Sequence, residues 1–165
     1  MVIIKTIKRN LLNAKENYIA HQCNCITTKS KGLAKSISDK FNHGDYYGQR
    51  TPLTPNTAIV ADRDKPGTIK ILYGKPNIIC IFSQWTPGKV ASIWADRYPK
   101  LNGKKETTED RLQWFADGIK LIEQTVKEPI AIPYKIGCGM AGGNWIKYKK
   151  ILEDSTAKFI IYKID

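Results

Sequence analysis

Residues 132–145 read IPYKIGCGMAGGNW, an apolar run that meets four glycines within the seven residues 137–143 and then opens a helix on Trp145. A glycine inside regular structure costs about 0.5–1 kcal/mol relative to alanine, so four together need a geometric reason. Either the chain makes a tight strand-to-helix turn, or its backbone must come close to an anion, for which phosphate is the usual candidate. Around the glycines, PIAIPYKI (129–136) predicts a short strand, NWIKYKKILED (144–154) a helix and KFIIYKI (158–164) a closing strand.

Upstream, MVIIKTI (1–7) alternates as a first strand and NYIAHQCN (17–24) follows as a short apolar second one. Leu33, Ile37 and Phe41 recur at four-residue spacing, which predicts a helix beginning just after Gly32. NTAIVADRD (56–64) and TIKILYG (68–74) flank Lys65-Pro66-Gly67 and predict a hairpin. NIICIFSQ (77–84) is continuously apolar, as a buried strand is. From Gln84 to Lys105 the chain is rich in Pro, Gly, Trp and Lys and predicts a long loop, with one helical turn near ASIWADRY (91–98). Loops of that length are often functional. Thr107 to Lys127 is the clearest helix: Thr107 and Asp110 form a capping-box pattern, and Leu112, Phe115, Ile119, Ile122 and Val126 make one apolar stripe. Strands thus alternate with helices, which predicts a single α/β domain over 1–165 with a mixed sheet and helices on both faces. Ligands of such sheets bind beyond the carboxyl ends of the strands, at the turns NCITTKSKG (24–32) and GCGMAGG (137–143).

The balance of 27 Lys plus Arg against 15 Asp plus Glu, a formal +12, favours anionic partners without choosing among nucleic acid, nucleotide and phosphorylated surface. No apolar run reaches the roughly 18 residues that span a bilayer, and the first residues have no charged leader ahead of a long apolar core. No membrane partner is expected, and the expected location is the cytoplasm. Of four cysteines, most lie in apolar, strand-like surroundings that suit small buried thiols better than a disulfide framework. His21, Cys23 and Cys25 would share one face of a strand, but a structural zinc site usually draws four ligands from two pairs. Cys80 and Cys138 are single, so no metal is expected.

Each turn offers what an anion needs: glycines, outward-pointing N–H groups and a helix N-terminus just beyond. Ser30, Lys31, Gly32, Leu33 and Ala34 form the first loop. The second runs through Gly137, Cys138, Gly139, Met140, Ala141, Gly142 and Gly143. Two facing loops suit a diphosphate. GCGMAGG has neither the dinucleotide-fold spacing nor a following Gly-Lys-Ser/Thr, so dehydrogenase and nucleotide-kinase readings fail.

With IAHQCNC leading into the first loop, IPYKIGCGMAGGNW forming the second and FIIYKID closing the chain, the sequence resembles the macro domain family. The resemblance covers nearly the whole chain and is nearest to stand-alone macro domains of the ADP-ribose 1''-phosphate phosphatase type, which include viral and phage forms. It implies a three-layer α/β/α sandwich with ADP-ribose lying across the top of the sheet; no cofactor is implied, and nothing in the sequence requires more than a monomer. For a viral form the location would be the host cytoplasm. By the same resemblance Asn10 would contact adenine, Asn24 the distal ribose, the two loops the diphosphate, and Tyr162 the adenine edge. His21 would be the catalytic residue at the distal ribose.

Related ADP-ribosyl-ester hydrolases carry an aspartate in the second loop, where this chain has Met140-Ala141, and a lysine in the first helix that KSISDK does not match. A covalent lysine mechanism is therefore not expected. Ser83, Gln84 and Trp85 are candidates for the rim of the site. Three functions remain. The chain could remove a phosphate or an ester-linked protein or nucleic acid from the distal ribose, as a phosphatase or ADP-ribosyl hydrolase. It could sequester ADP-ribose or an NAD-derived signalling nucleotide without turnover. It could bind nucleic acid, though no RNP motif or helix-turn-helix supports that reading.

Overall fold

The apolar run at 77–84 becomes the strand about which the rest is arranged. The structure, a computed structural model, describes residues 3–92 and 95–164. In chain order the elements are β1 (Lys5–Lys8), β2 (Tyr18–Asn24), α1 (Gly32–Lys40), β3 (Pro52–Thr54), β4 (Thr57–Ala58), β5 (Thr68–Leu72), β6 (Asn77–Gln84), α2 (Thr108–Thr125), β7 (Ile130–Pro133), α3 (Trp145–Asp154) and β8 (Phe159–Lys163). Six strands form one mixed sheet in the order β1-β8-β7-β2-β6-β5. Only β5 runs antiparallel to its neighbour.

Period-two alternation sorts the central strands into two cores. Ile79 and Ile81 of β6 pack with Phe115, Ile119 and Ile122 of α2 and with Tyr148 and Leu152 of α3. Each such buried side chain contributes about 1.5–3 kcal/mol. On the opposite face Ile78 packs with Ile37 of α1, and Cys80 and Phe82 pack with Ala34 of α1. Two helices on one face and one on the other make the three-layer α/β/α sandwich that the resemblance implied. No helix among the described residues is long and apolar enough to cross a membrane.

Local reading succeeds where the signals are local. Thr107 accepts from the Asp110 N–H while Asp110 accepts from the Thr107 N–H, the predicted box. The predicted first strand is observed from Lys5, and Met1 and Val2 lie outside the described residues. The predicted hairpin of 56–64 with 68–74 is not formed. Thr57–Ala58 instead pairs with Pro52–Thr54, and β5 folds back on β6. Its first arm is occupied otherwise: Asp62 accepts from the Thr51 N–H and Asp64 pairs with Arg50, so Val60–Asp62 turns as a 3-10 helix. The loop after Gln84 carries a 3-10 turn at Ala95–Arg97, with Ile93 and Trp94 outside the described residues.

Candidate functional site

A cleft of about 390 Å³ opens where β2, β6 and β7 end, with Asn24, Gln84 and Pro133 on its wall. Such a volume is that of a small-molecule site. One side is the start of α1, from which Lys31, Leu33 and Ala34 reach the cleft. The other is the glycine turn, from which Gly137, Gly139, Met140 and Ala141 do. Gln22, Tyr47, Tyr98, Lys29 and Lys135 complete the parts of the wall that matter chemically.

The two sides differ from ordinary helix ends and turns in what they leave unpaired. Helix α2 has its capping box and α3 is capped by Asn144, whereas Lys31 at the start of α1 makes no side-chain cap. The first-turn N–H groups of α1 thus stay available, with the positive end of the helix dipole. In the turn, Cys138 N–H donates to Lys135 O, Gly142 N–H to Gly139 O and Gly143 N–H to Gly137 O. The N–H groups of Gly139, Met140 and Ala141 have no acceptor among the described residues.

Behind the first side, Asn24 folds the chain over itself. Its Oδ1 accepts from the Thr27 N–H at 2.9 Å and its Nδ2 donates to Thr27 Oγ1 at 2.9 Å. Arg50, buried and stacked on Tyr46 and Tyr47, donates to Thr27 O and Asn24 O at 2.8 Å each. Behind the second side, Arg111 is 2% exposed, pairs with Glu106 and donates to Gly88 O at 2.6 Å and Ala141 O at 3.1 Å. That one guanidinium joins the loop after β6 to the glycine turn. At the floor, Ser83 donates to Gln22 Oε1 at 2.6 Å and Gln22 Nε2 donates to Gln84 Oε1 at 2.7 Å. Ser83 is the residue skipped at the irregularity where Cys23 pairs with Phe82 and Asn24 with Gln84.

The residues expected to bind or react divide into those the fold brings together and those it does not. Asn24, Lys31, Leu33, Ala34, Gly137, Gly139, Met140 and Ala141 all line the cleft. His21 does not. Strand alternation turns its imidazole away from Gln22, 3% exposed, against the Cys23 and Cys80 sulfurs. Asn10 is also elsewhere: its Oδ1 accepts from the Leu12 N–H and caps the 3-10 turn at Leu11–Asn13. Tyr162 is core, packed with Leu11 and Ile19, its hydroxyl donating to Glu16. Ser30 Oγ meets Ser38 Oγ, and Cys138 donates its thiol proton to Ile136 O. Gly32, Gly142 and Gly143 are not among the lining residues; an added Cβ at Gly32 would lie 3.0 Å from Met140 Sδ of the opposite side, and those at Gly142 and Gly143 would meet Lys89 and Tyr148. Of the rim candidates Gln84 reaches the cleft, Ser83 stays behind it, and Trp85 Nε1 donates to Pro99 O and pins the loop.

Sequence reasoning missed Gln22, Lys29, Tyr47, Tyr98 and Lys135. Gln22 had a signal, since it shares its strand face with Asn24. Tyr47 had none, because 3-10 turns place it.

Burial opposes the thiolate of Cys23, but hydrogen bonds from Cys80 and the nearby His21 outweigh it and hold that thiol well below the usual range. Cys80, the donor in that bond and itself buried, is pushed well above it. Burial raises the phenol of Tyr47 and pushes the Cys138 thiol up to about 11.

The fold is that of a macrodomain. Superposed on the macrodomain of Mycobacterium tuberculosis DarG, the chain gives a TM-score of 0.61 at 19% identity, covering 97% of both chains. The macrodomain of Thermus aquaticus DarG gives 0.60 at 18% identity over 99% of this chain and 98% of that one. An alphavirus P23pro-zbd structure gives 0.58 at 14%, with all of this chain matching 22% of that one. No protein-family model matches the sequence, and neither does any curated protein. At these identities the likeness is one of fold.

Proposed function

We propose that the cleft binds ADP-ribose or an ADP-ribose derivative, with the diphosphate between the start of α1 and the glycine turn. The observation that carries this is the charge of the wall. Lys29, Lys31 and Lys135 line it, no Asp or Glu among the described residues does, and both of its sides carry N–H groups without an acceptor among the described residues. A cationic, carboxylate-free cleft between two amide-presenting turns favours a polyphosphate over a neutral ligand. The macrodomain fold and the resemblance of the two loops narrow that polyphosphate to an ADP-ribosyl group.

Calorimetric titration with ADP-ribose tests the reading. The expected result is micromolar affinity, about −8 kcal/mol, lost in Gly139→Glu, which sets a carboxylate where no atom obstructs it. Absence of binding by the unaltered protein overturns the proposal.

Capture of the ligand is the form that the wall supports best, because among the described residues it presents neither carboxylate nor imidazole as a general base. Hydrolysis at the distal ribose, as a phosphatase or an ADP-ribosyl hydrolase, is the second reading. It is favoured by Lys29 and Lys31, which would stabilise charge developing on a leaving group, with a ligand phosphate serving as the base. Incubation with ADP-ribose 1''-phosphate and with an ADP-ribosylated peptide separates the two. Ligand recovered intact supports capture, and released phosphate or ADP-ribose supports turnover.

A further inference from the structure

Under the cleft floor, on the opposite face of β2 from Gln22, lies a cluster that the proposed function does not use. His21 Nε2 stands 3.5 Å from Cys23 Sγ and 3.8 Å from Cys80 Sγ, and the three candidate ligand atoms all lie within 4.8 Å of one another. We propose that His21, Cys23 and Cys80 bind a zinc ion, with the Tyr47 hydroxyl at the fourth corner. The inference does not depend on what occupies the cleft, although Tyr47 also lines it.

Bond lengths near 2.3 Å to sulfur and 2.0–2.1 Å to nitrogen, at tetrahedral angles, put ligand atoms about 3.6–3.8 Å apart. The two observed nitrogen–sulfur separations already have that size, and the sulfurs lie within 4.8 Å of each other. Nδ1 also lies 3.7 Å from Cys23 Sγ, so the ring presents its side to that sulfur, and loading requires it to turn about Cβ–Cγ until Nε2 faces the centre of the group. The Tyr47 hydroxyl lies near Cys23 and accepts from the Asn24 N–H at 2.9 Å, which sets an oxygen beside the cluster.

Charge selects the metal. His21, Cys23 and Cys80 are 3%, 1% and 0% exposed, and a buried site tolerates little net charge. Two thiolates and a neutral imidazole cancel a divalent ion, whereas a monovalent soft ion would leave a negative charge. Calcium and magnesium want oxygen ligands. A disulfide fits the site less well. His21 is the register partner of Cys80, so Cys23 lies diagonally across the pair. With strands about 4.8 Å apart and a two-residue rise of about 6.6 Å, such a diagonal runs about 8 Å between backbones, beyond the roughly 7 Å that a disulfide can bridge. Cys25 does not join the cluster, because β2 ends at Asn24 and Cys25 already belongs to the following turn, its N–H donating to Trp85 O.

The full chain, stripped of metal with a chelator under reducing conditions, is titrated with cobalt(II) as a spectroscopic probe and then with zinc. The expected result is one equivalent of cobalt, with a near-ultraviolet thiolate band and the visible bands of a tetrahedral ion, all displaced by zinc. Cys80→Ser and His21→Gln should lose those bands, while Cys138→Ser should keep them. Because a change at a fully buried position can itself unfold the domain, X-ray absorption of the unaltered zinc-loaded protein supplies a second measurement. Two sulfurs and at least one nitrogen around zinc support the site. No stoichiometric uptake, an all-oxygen shell, or a cobalt spectrum that depends on Cys138 overturns it.

Discussion

At Gly139 nothing lies within 4 Å of where a side chain would begin, whereas at Gly137 an added Cβ would sit 2.5 Å from Gln22 Oε1 with φ at +74°. Two glycines two residues apart therefore serve different ends. Gly137 lets the turn close over Gln22 and Tyr148, while no packing demand within the chain requires Gly139. Gly137→Ala is expected to lower stability by about 1–3 kcal/mol, read as a shifted urea midpoint; an unshifted midpoint would contradict this account of the turn. Gly139→Glu should alter stability by no more than about 0.5 kcal/mol while weakening ADP-ribose at least tenfold, about 1.4 kcal/mol. Melting and calorimetry on the same sample separate the two effects. The four glycines could not be told apart in the sequence, because what each backbone faces is contributed by β2, α3 and the loop after β6.

Among the elements, α2 was legible to its cap because Thr107, Asp110 and the apolar stripe lie within consecutive turns. The buried Arg111 on that helix was not legible, since its acceptors come from Glu106, Thr86, Gly88 and Ala141. Breaking a buried pair by removing one partner typically costs about 3–5 kcal/mol, mainly because the other charge is left unpaired. Arg111→Met should show a loss of that size in chemical denaturation, and adding Glu106→Gln should recover part of it. If the double variant is no more stable than the single one, the unpaired Glu106 is not the source of the loss. The false hairpin has a related cause. The 56–64 run has strand-like residues, but Arg50 and Thr51 claim its carboxylates through contacts that turn signals do not register.

For the whole molecule, the formal charge of +12 and the lysine-lined cleft predict that ADP-ribose binding weakens with salt. A loss of about threefold or more between 0.05 and 0.5 M sodium chloride is expected, as the screening length shrinks; salt-independent titrations would argue against an electrostatic cleft. Alkali should act on the fold itself. Burial pushes the Cys138 thiol up to about 11 and the Tyr148 phenol up to about 12, and Cys25 rises in the same direction. In the unfolded chain thiols lose their protons from about pH 9. Between pH 9 and 11 the unfolded state therefore holds fewer protons than the folded one, and stability falls as pH rises. Cys23, held low, contributes in the opposite sense near neutral pH. Urea midpoints at pH 7.5 and 10.5 should differ, the alkaline one lower, and equal values would contradict the burial of these thiols.

By itself the sequence determined the alternation of strands and helices outside the 52–64 segment, the α/β class and the two turns that form the sides of the cleft. Those features are set by periodicity, caps and glycines that act over a few consecutive residues. Tertiary structure alone decided which side chains face the ligand. The pleat of β2 turns Gln22 toward the cleft and His21 away from it, and packing brings Cys80 to His21 across 59 positions and Arg111 to Ala141 across 30. Contacts at such separations leave no local pattern, because they form only when distant elements bury their faces against the same sheet.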